Sequence, residues 1–127
     1  MSNLHLTANV GANGGKFHIG LSLVEFNENG VVIIYSPALD LSGYGDTEED
    51  AKQSFEEALQ EFIRYTTNKK TFDAALKALG WSVLGSKKKP KYSPPKDSDM
   101  VSTNSLYSDI VNNKSYKVSR EEVEFSL

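Results

Sequence analysis

Residues 31–66 contain four segments whose order restricts the fold more than any other feature of this chain. The first, residues 31–35, is a run of five apolar or aromatic residues, four of them β-branched. This composition predicts a strand that is buried on both faces. Pro37 ends the strand because proline has no N–H to donate to a ladder. A weakly alternating segment with Gly43 and Gly45 follows. It predicts a loop that leads into a short, bent strand, where glycine permits close backbone approaches.

The fourth segment predicts an amphipathic helix that lies on a sheet. Thr47 and Asp50 resemble a capping box, and acidic residues fill the first turn, where the helix dipole favours negative charge. The other side of the predicted helix is polar and acidic, and it includes Glu56 and Glu57. Apolar residues recur at helical spacing on one side, namely Ala51, Phe55, Ala58, Leu59 and Phe62.

The segments on either side of this unit carry weaker patterns. Residues 17–26 alternate between apolar and polar positions, which predicts a half-buried strand, and Asn-Gly at 29–30 predicts a tight turn into the next strand. After the long helix, Thr71 and Gly80 bracket a predicted short second helix, and residues 81–84 can add a strand. Residues 106–111 can form a short helix and residues 116–125 a last strand, with a disordered end as the open alternative.

The chain has the length of one domain, at 127 residues. We predict an α+β fold with a β-β-β-α-β sheet, one long packed helix, a short second helix and an extended C-terminal tail. The predicted organisation is a flexible N-terminal lead-in over residues 1–16, an α/β domain over 17–86, and a basic, proline-rich linker with a C-terminal tail over 87–127.

Several classes of site are not expected from the composition. The chain has no cysteine, which excludes a disulfide framework and a cysteine-based metal site. His5 and His18 are the two histidines and have no ligand spacing, so we expect neither a metal nor a cofactor. No apolar run approaches the length of a membrane span, and the N-terminus lacks a signal-peptide pattern. We therefore expect a cytoplasmic protein without a membrane partner.

The formal net charge of −3 conceals a segregation of charge along the chain. Residues 40–61 contain eight acidic residues and one basic residue, whereas residues 87–96 contain five lysines and no acid. The ordinary interpretation of such runs is a solvated helix face and a solvated linker. The alternative is an acidic surface that is complementary to a basic partner, because charge of one sign steers association with the other.

The order of these motifs resembles the HicB family, the antitoxins of bacterial and archaeal HicAB toxin–antitoxin modules. The matching residues are Tyr35-Ser36-Pro37 and the helix start GDTEEDA at 45–51, where Asp50 stands in place of the usual glutamate. A HicB-like subgroup is more similar still. It shares ALDLSGYG at 38–45 and the short motifs SF, EF, YT and LGW at 54–55, 61–62, 65–66 and 79–81. The resemblance covers residues 17–81 well and the remainder weakly.

This resemblance implies a partial ribonuclease-H-like sheet that binds a protein and does not act as a nuclease. The partner would be a small basic HicA-like toxin that cleaves mRNA, and the antitoxin would mask its active surface. The acidic run is a suitable complement to a basic RNA-binding surface. The family and the exposed edge of the first strand also favour a homodimer. The candidate partner-binding residues are Asp40, Tyr44, Asp46, Glu56 and Glu57.

The tail departs from the pattern of many HicB proteins. Those proteins append a helix-turn-helix or ribbon-helix-helix domain that binds the operator. The residues after Pro95 show the periodicity of neither domain. We therefore do not expect DNA binding of that kind.

Two further functions compete with the antitoxin hypothesis. A ribonuclease-H-like active site needs carboxylates that converge on metal ions, and Glu25, Asp40 and Asp46 lie at predicted strand ends. Helix capping and solvation explain them more simply, so we do not predict an enzyme. The alternative function is that of an orphan HicB-like domain that binds nucleic acid through its lysine-rich segment. The simpler interpretation of that segment is a plain linker. The basic residues for phosphate contact would be Lys87, Lys88, Lys89 and Lys91.

Overall fold

The computed structural model describes residues 8–13, 16–68, 70–85 and 90–126. The described elements confirm the predicted α+β class, with an antiparallel sheet, one long helix packed on it and several short helices. In chain order they are β1 (Ala8–Asn13), β2 (Lys16–Glu28), β3 (Val31–Ser36), β4 (Leu41–Gly45), α1 (Glu48–Asn68), α2 (Phe72–Ala78), β5 (Ser82–Gly85), β6 (Pro90–Ser93), α3 (Asp97–Thr103), α4 (Ser105–Asn113) and β7 (Tyr116–Ser126).

Strand β2 is the centre of the main sheet. Its first half pairs with β1 and its second half with β3, while β7 pairs with it over nearly its whole length on the opposite edge. Strand β4 completes the sheet beside β3. Asn29 and Gly30 both have positive φ, at 54° and 81°, as the central residues of a type I′ turn do. The predicted hairpin between β2 and β3 is therefore confirmed, and β1 comes from the segment assigned to the lead-in.

Helix α1 lies directly against β4. Its buried residues are Ala51, Phe55, Leu59, Ile63 and Thr66, whereas two members of the predicted stripe, Ala58 and Phe62, are half-buried. A Cβ atom on Gly43 would lie 2.6 Å from the Ala51 carbonyl oxygen and closer still to the backbone N of Phe55. A Cβ on Gly45 would lie 2.5 Å from the backbone N of Ala51. The two glycines of β4 thus permit a helix–strand contact that a side chain would prevent.

The opposite face of the sheet is covered by α4. Asn104 caps this helix by accepting a hydrogen bond from the Tyr107 backbone N–H at 3.0 Å, and its side-chain amide donates to the Tyr35 hydroxyl at 2.6 Å. At the other end of α4, the Lys114 ammonium lies 5.7 Å from the centre of the Phe26 ring. Tyr107 and Ile110 are fully buried. The sheet therefore lies between α1 on one face and α4 on the other.

The description of the C-terminal region as an extended tail is wrong, because residues 97–126 form α3, α4 and β7. The short helix at 106–111 and the last strand at 116–125, which the sequence allowed, both form as α4 and β7. Strand β7 pairs with β2 from Phe26↔Tyr116 to Lys16↔Ser126. The prediction of a half-buried strand at 17–26 is also wrong, because residues 19–26 of β2 are buried. Strand β2 lies in the centre of the sheet, and β7 supplies the pairing of its second edge.

The predicted sheet also needs correction in the region after α1. Strand β5 forms at the predicted place but pairs with β6 in a separate two-stranded sheet. It does not complete the main sheet, where β7 takes the second edge of β2. Strand β6 lies within the segment that we predicted to be an irregular linker. Pro90 is compatible with a strand because it stands at the first position of a short edge strand.

The end of α2 follows a Schellman motif. The Trp81 backbone N–H donates to the Leu76 carbonyl at 2.9 Å, and the Gly80 N–H donates to the Lys77 carbonyl at 3.0 Å. Gly80 has φ of 95°, the left-handed conformation that this motif requires. Trp81 is buried, and its indole Nε1–H donates to the Ala38 carbonyl at 2.8 Å. The predicted stop at Gly80 is confirmed, and Trp81 connects the end of α2 to the loop before β4.

Two threonines precede helices, and we expect only one of them to stabilise its helix through the side chain. The Asp50 backbone N–H donates to Thr47 Oγ1 at 3.1 Å, whereas Thr71 makes no such hydrogen bond. Thr47→Ala should lower the free energy of unfolding by about 1 kcal/mol, because an N–H at the start of α1 loses its partner. Thr71→Ala should have a smaller effect. Urea unfolding of both variants measures the difference, and equal losses would contradict the assignment of the cap.

Candidate interaction site between α1 and β7

A groove runs between α1 and β7 above the central strand β2. It consists of two adjoining cavities of about 330 and about 290 Å³ that share Glu56 of α1 and Glu121 of β7. The apolar residues of the larger cavity are Leu59, Ile63 and Val123, and those of the smaller cavity are Leu23, Ile34 and Phe55. The smaller cavity is also lined by the basic residues Lys52 and Arg120. We call this feature the α1–β7 groove. Its lining combines apolar side chains with charged ones, and we take it as the candidate interaction surface.

The positions of the groove residues follow from the helical periodicity of α1 and the two-residue alternation of β7. Lys52, Glu56 and Gln60 are spaced four residues apart, so they lie in a row along one side of α1. On β7, Glu121 is paired with Leu21 of β2 and Val123 with Ile19. Residues directly opposite each other in an antiparallel pair point to the same face, and alternate residues point to the same side of the sheet. A helix row and a strand row thus face each other across the groove.

The larger cavity carries an excess of negative charge. Its described lining includes the carboxylates Glu56 and Glu121 and contains no lysine or arginine. Glu124 also borders this cavity, but by strand alternation its side chain points to the opposite face of the sheet. Burial raises the pKa of the Glu121 carboxyl, and the charge of Glu56 and a hydrogen bond to it raise this pKa further. Lys52 opposes the shift. The two carboxyl groups therefore lie close together, and a cationic group of another molecule beside them would favour the ionised form of Glu121.

A chain of ion pairs connects β7 to α1 beyond the smaller cavity. The Lys117 ammonium lies 2.7 Å from Glu48 Oε2 and 3.2 Å from Glu25 Oε2. Hydrogen bonds from Lys117 and then Lys52 lower the pKa of Glu48, and the hydrogen bond to Glu48 is the main cause that raises the pKa of Lys117. Glu25 is buried, and its Oε1 has no hydrogen-bond partner among the described residues. Lys117 therefore neutralises a buried carboxylate and fixes β7 beside α1.

The structure separates the five residues of the predicted partner-binding set. Asp40 is exposed, has φ of 54° and accepts a hydrogen bond from the Tyr35 hydroxyl at 2.7 Å. This bond adds to burial in raising the pKa of Tyr35. Tyr44 is 58% exposed and, by strand alternation from Gly43 and Gly45, points away from α1.

The remaining three residues of that set lie near or on α1. Asp46 is exposed in the short segment before the helix, and Glu57 is exposed on the helix without lining either cavity. Glu56 lines both cavities. Of the five predicted residues, Glu56 is thus the one that belongs to the α1–β7 groove.

The basic segment is described only in part. Lys91 is exposed on β6, which pairs with β5, while Lys87, Lys88 and Lys89 lie outside the described residues.

Other site types find little support in the described part of the chain. It holds no group of three or more histidine, aspartate or glutamate side chains placed to bind a metal ion. Glu25 faces α1, whereas Asp40 contacts Tyr35 on the side of α4, so these two carboxylates do not converge. No described helix is long and apolar enough to cross a bilayer.

Sequence reasoning did not find the contribution of β7 to the groove. The strand itself was predicted at 116–125, and Glu121 is visible in its sequence. What identifies Glu121 as a groove residue is the pairing of β7 with β2, which joins segments that are far apart in the chain. No local pattern encodes that register, although the alternation of Ser119, Glu121 and Val123 was an available signal that they share one face.

Comparison with known proteins gives no relative. No family model, no curated protein and no solved structure matches this chain. The features of this chain that bear on its function are therefore its sequence motifs and the geometry of the α1–β7 groove.

Proposed function

We propose that this protein is a HicB-like antitoxin-type interaction module that binds and masks a small basic mRNA-cleaving toxin. The observation that carries the proposal is the α1–β7 groove, in which Glu56 and Glu121 hold like charges next to apolar side chains. Keeping a carboxyl group with a raised pKa costs free energy in the unbound protein. A lysine or arginine from a basic partner would remove that cost on binding.

The family motifs have physical roles that fit the same proposal. The motif ALDLSGYG ends on β4, and its two glycines permit the close approach of α1. The motif GDTEEDA contains Thr47, which caps α1. We propose that β2, β3, β4 and α1 correspond to the first four elements of the partial ribonuclease-H-like sheet of the family. The motifs would then hold α1 in place, and α1 supplies one wall of the groove.

The central test is capture of the partner. The full chain, carrying an affinity tag, should be purified from its native cell under mild salt, and the intact masses of the co-eluting proteins should be determined. We expect a small basic protein in fixed stoichiometry, bound to one or two copies of this chain. Recovery of the chain without such a protein would contradict the antitoxin function. Co-elution of nucleic acid that is lost when the lysines at 87–91 are neutralised would favour the alternative function instead.

The groove makes a specific prediction about the rate of association with the captured toxin. Glu56→Lys should slow association by about tenfold at low salt, because it reverses a charge inside the groove and weakens electrostatic steering. Glu57→Lys is the matched control, since it makes the same charge change on the neighbouring residue outside both cavities. Stopped-flow measurements over a range of salt concentrations give both rates. Equal effects of the two substitutions would show that net charge, and not the groove, guides the toxin.

A further inference from the structure

Strand β7 is an edge strand whose second edge has no partner among the described strands. Its pairing with β2 extends from Tyr116 to Ser126, so the open edge is long. On the other side of β2 the sheet ends in β4 and, beside the first half of β2, in β1, and both strands are shorter than β7. The Tyr44 backbone N–H of β4 donates to Ser54 Oγ of α1 at 3.1 Å. Helix α1 protects β4, whereas β7 presents a row of backbone groups to any strand that can pair with it.

The register shows which backbone groups of β7 point outward. The two-residue turn at 29–30 makes Glu28 and Val31 a hydrogen-bonded pair, so the even-numbered residues of β2 bond to β3. The odd-numbered residues of β2 then bond to the odd-numbered residues of β7, which are their partners. The even-numbered residues of β7 direct their N–H and C=O groups to the open edge, and they include Val118, Glu122 and Glu124.

The open edge adjoins the α1–β7 groove. A strand added to β7 would continue the sheet and place every second side chain on the face that carries Glu121 and Glu56. On the opposite face it would lie beside Val118, which is 46% exposed, and beside the charged residues Arg120, Glu122 and Glu124. Glu56 and Glu121 select basic side chains on the groove face of the added strand, and Val118 selects an apolar side chain opposite itself. The long basic side chains of the added strand would reach into the groove while its apolar side chain covers Val118.

We infer that the partner binds by adding an extended basic strand to the open edge of β7, with its lysine or arginine side chains in the α1–β7 groove. The backbone pairing would supply affinity, and the alternation of basic and apolar side chains would supply specificity. This inference deepens the proposed function and takes the partner class from it. It assigns the binding surface to β7, a strand outside the region of family resemblance.

The test uses a synthetic peptide in which lysine and valine alternate, with the full-length protein. The matched probe has proline in place of each valine, which keeps the charge but removes backbone N–H groups and prevents strand pairing. We expect the first peptide to bind at least about tenfold more tightly, because the proline peptide loses several hydrogen bonds. It should also slow amide hydrogen exchange at Val118, Glu122 and Glu124. Equal affinity of the two peptides, or unchanged exchange at these amides, would overturn the inference.

Two pairs of variants separate backbone pairing from charge. Glu122→Pro removes one outward N–H, whereas Glu122→Ala keeps it, so the first should weaken peptide binding and the second should not. Glu121→Gln should weaken binding of the peptide, whereas Glu57→Gln should leave it unchanged. Thermal midpoints identify any variant that fails to fold. If Glu122→Pro does not fold, hydrogen exchange of the unmodified protein decides the question by itself.

The inference and the proposed function can fail separately. If a basic toxin co-purifies but leaves the Val118, Glu122 and Glu124 amides unprotected, the function stands and strand addition is wrong. If the peptide protects these amides but no toxin co-purifies, β7 is a binding edge and the antitoxin function is wrong.

Discussion

Gly43→Ala should lower the free energy of unfolding by about 3 kcal/mol, the upper part of the range for overpacking a buried contact. The new Cβ atom would lie 2.6 Å from the carbonyl oxygen of Ala51 and from Cα of Phe55. Both are backbone atoms of α1, so no side-chain rotation can relieve the clash. The helix must move away from β4, and the contacts of its buried residues would weaken together.

The matched control is Gly11→Ala on β1. Gly11 is exposed, a Cβ atom added to it would meet no heavy atom within 4 Å, and its backbone is not left-handed. We expect this substitution to change stability by less than about 0.5 kcal/mol, since both positions are in strands and only the packing differs. Guanidinium unfolding of the two variants gives the comparison. A small effect of Gly43→Ala would show that α1 does not lie as close to β4 as described.

Tyr107→Ala should lower the free energy of unfolding by about 3–5 kcal/mol, as expected for removal of a large buried aromatic side chain. Tyr107 is fully buried on α4, and its backbone N–H is held by the Asn104 side chain. This residue belongs to the short helix that local sequence patterns allowed at 106–111, within a region described as an extended tail. A loss of this size means that the C-terminal third of the chain is part of the core.

Leu106→Ala is the control for this substitution, because Leu106 is the preceding residue on the same helix and is 43% exposed. Its removal should cost less than about 1 kcal/mol. Both variants should be measured by urea unfolding and by near-ultraviolet circular dichroism. If Tyr107→Ala and Leu106→Ala had similar small effects, α4 would not contribute to the core. The packing of α4 on the face of the sheet opposite α1 would then be wrong.

Gly43→Ala tests the packing of α1 on one face of the sheet, and Tyr107→Ala tests the packing of α4 on the other. The α1–β7 groove requires both packing contacts. Gly43 fixes the height of α1 above β4, and α1 carries Glu56. Helix α4 precedes β7 directly, and β7 carries Glu121. If either packing contact fails, the two glutamates no longer face each other, and the proposed binding of a basic strand loses its site.

Elements that depend on neighbouring residues were predictable. The Asn-Gly turn at 29–30 determines a hairpin because both residues accept positive φ. Thr47 and the apolar spacing that follows it determine the start and the buried side of α1. Gly80 ends α2 because the left-handed residue of a Schellman motif is most easily a glycine.

The pairings between distant segments were not predictable in the same way. Residues 81–84 formed the expected strand, but their local pattern suited the main sheet and the small sheet equally. Similarly, alternation over 116–125 predicted a strand and gave no register or partner. Asp40 was grouped with the acidic residues of α1 by proximity in sequence, although its side chain accepts a hydrogen bond from Tyr35 on the side of α4.

The sequence by itself thus determined the turn at 29–30, the cap at Thr47, the stop at Gly80, the long helix and the α+β class, because backbone conformation and hydrophobic period act over a few residues. Only the tertiary structure decided which strand joins which edge, which helix covers which face, and which carboxylates meet. Those outcomes depend on contacts between segments such as β2 and β7, whose strength comes from packing and cross-strand pairing that no single segment contains. The α1–β7 groove, with Glu56 from α1 and Glu121 from β7, is one of the features that only the tertiary structure decided.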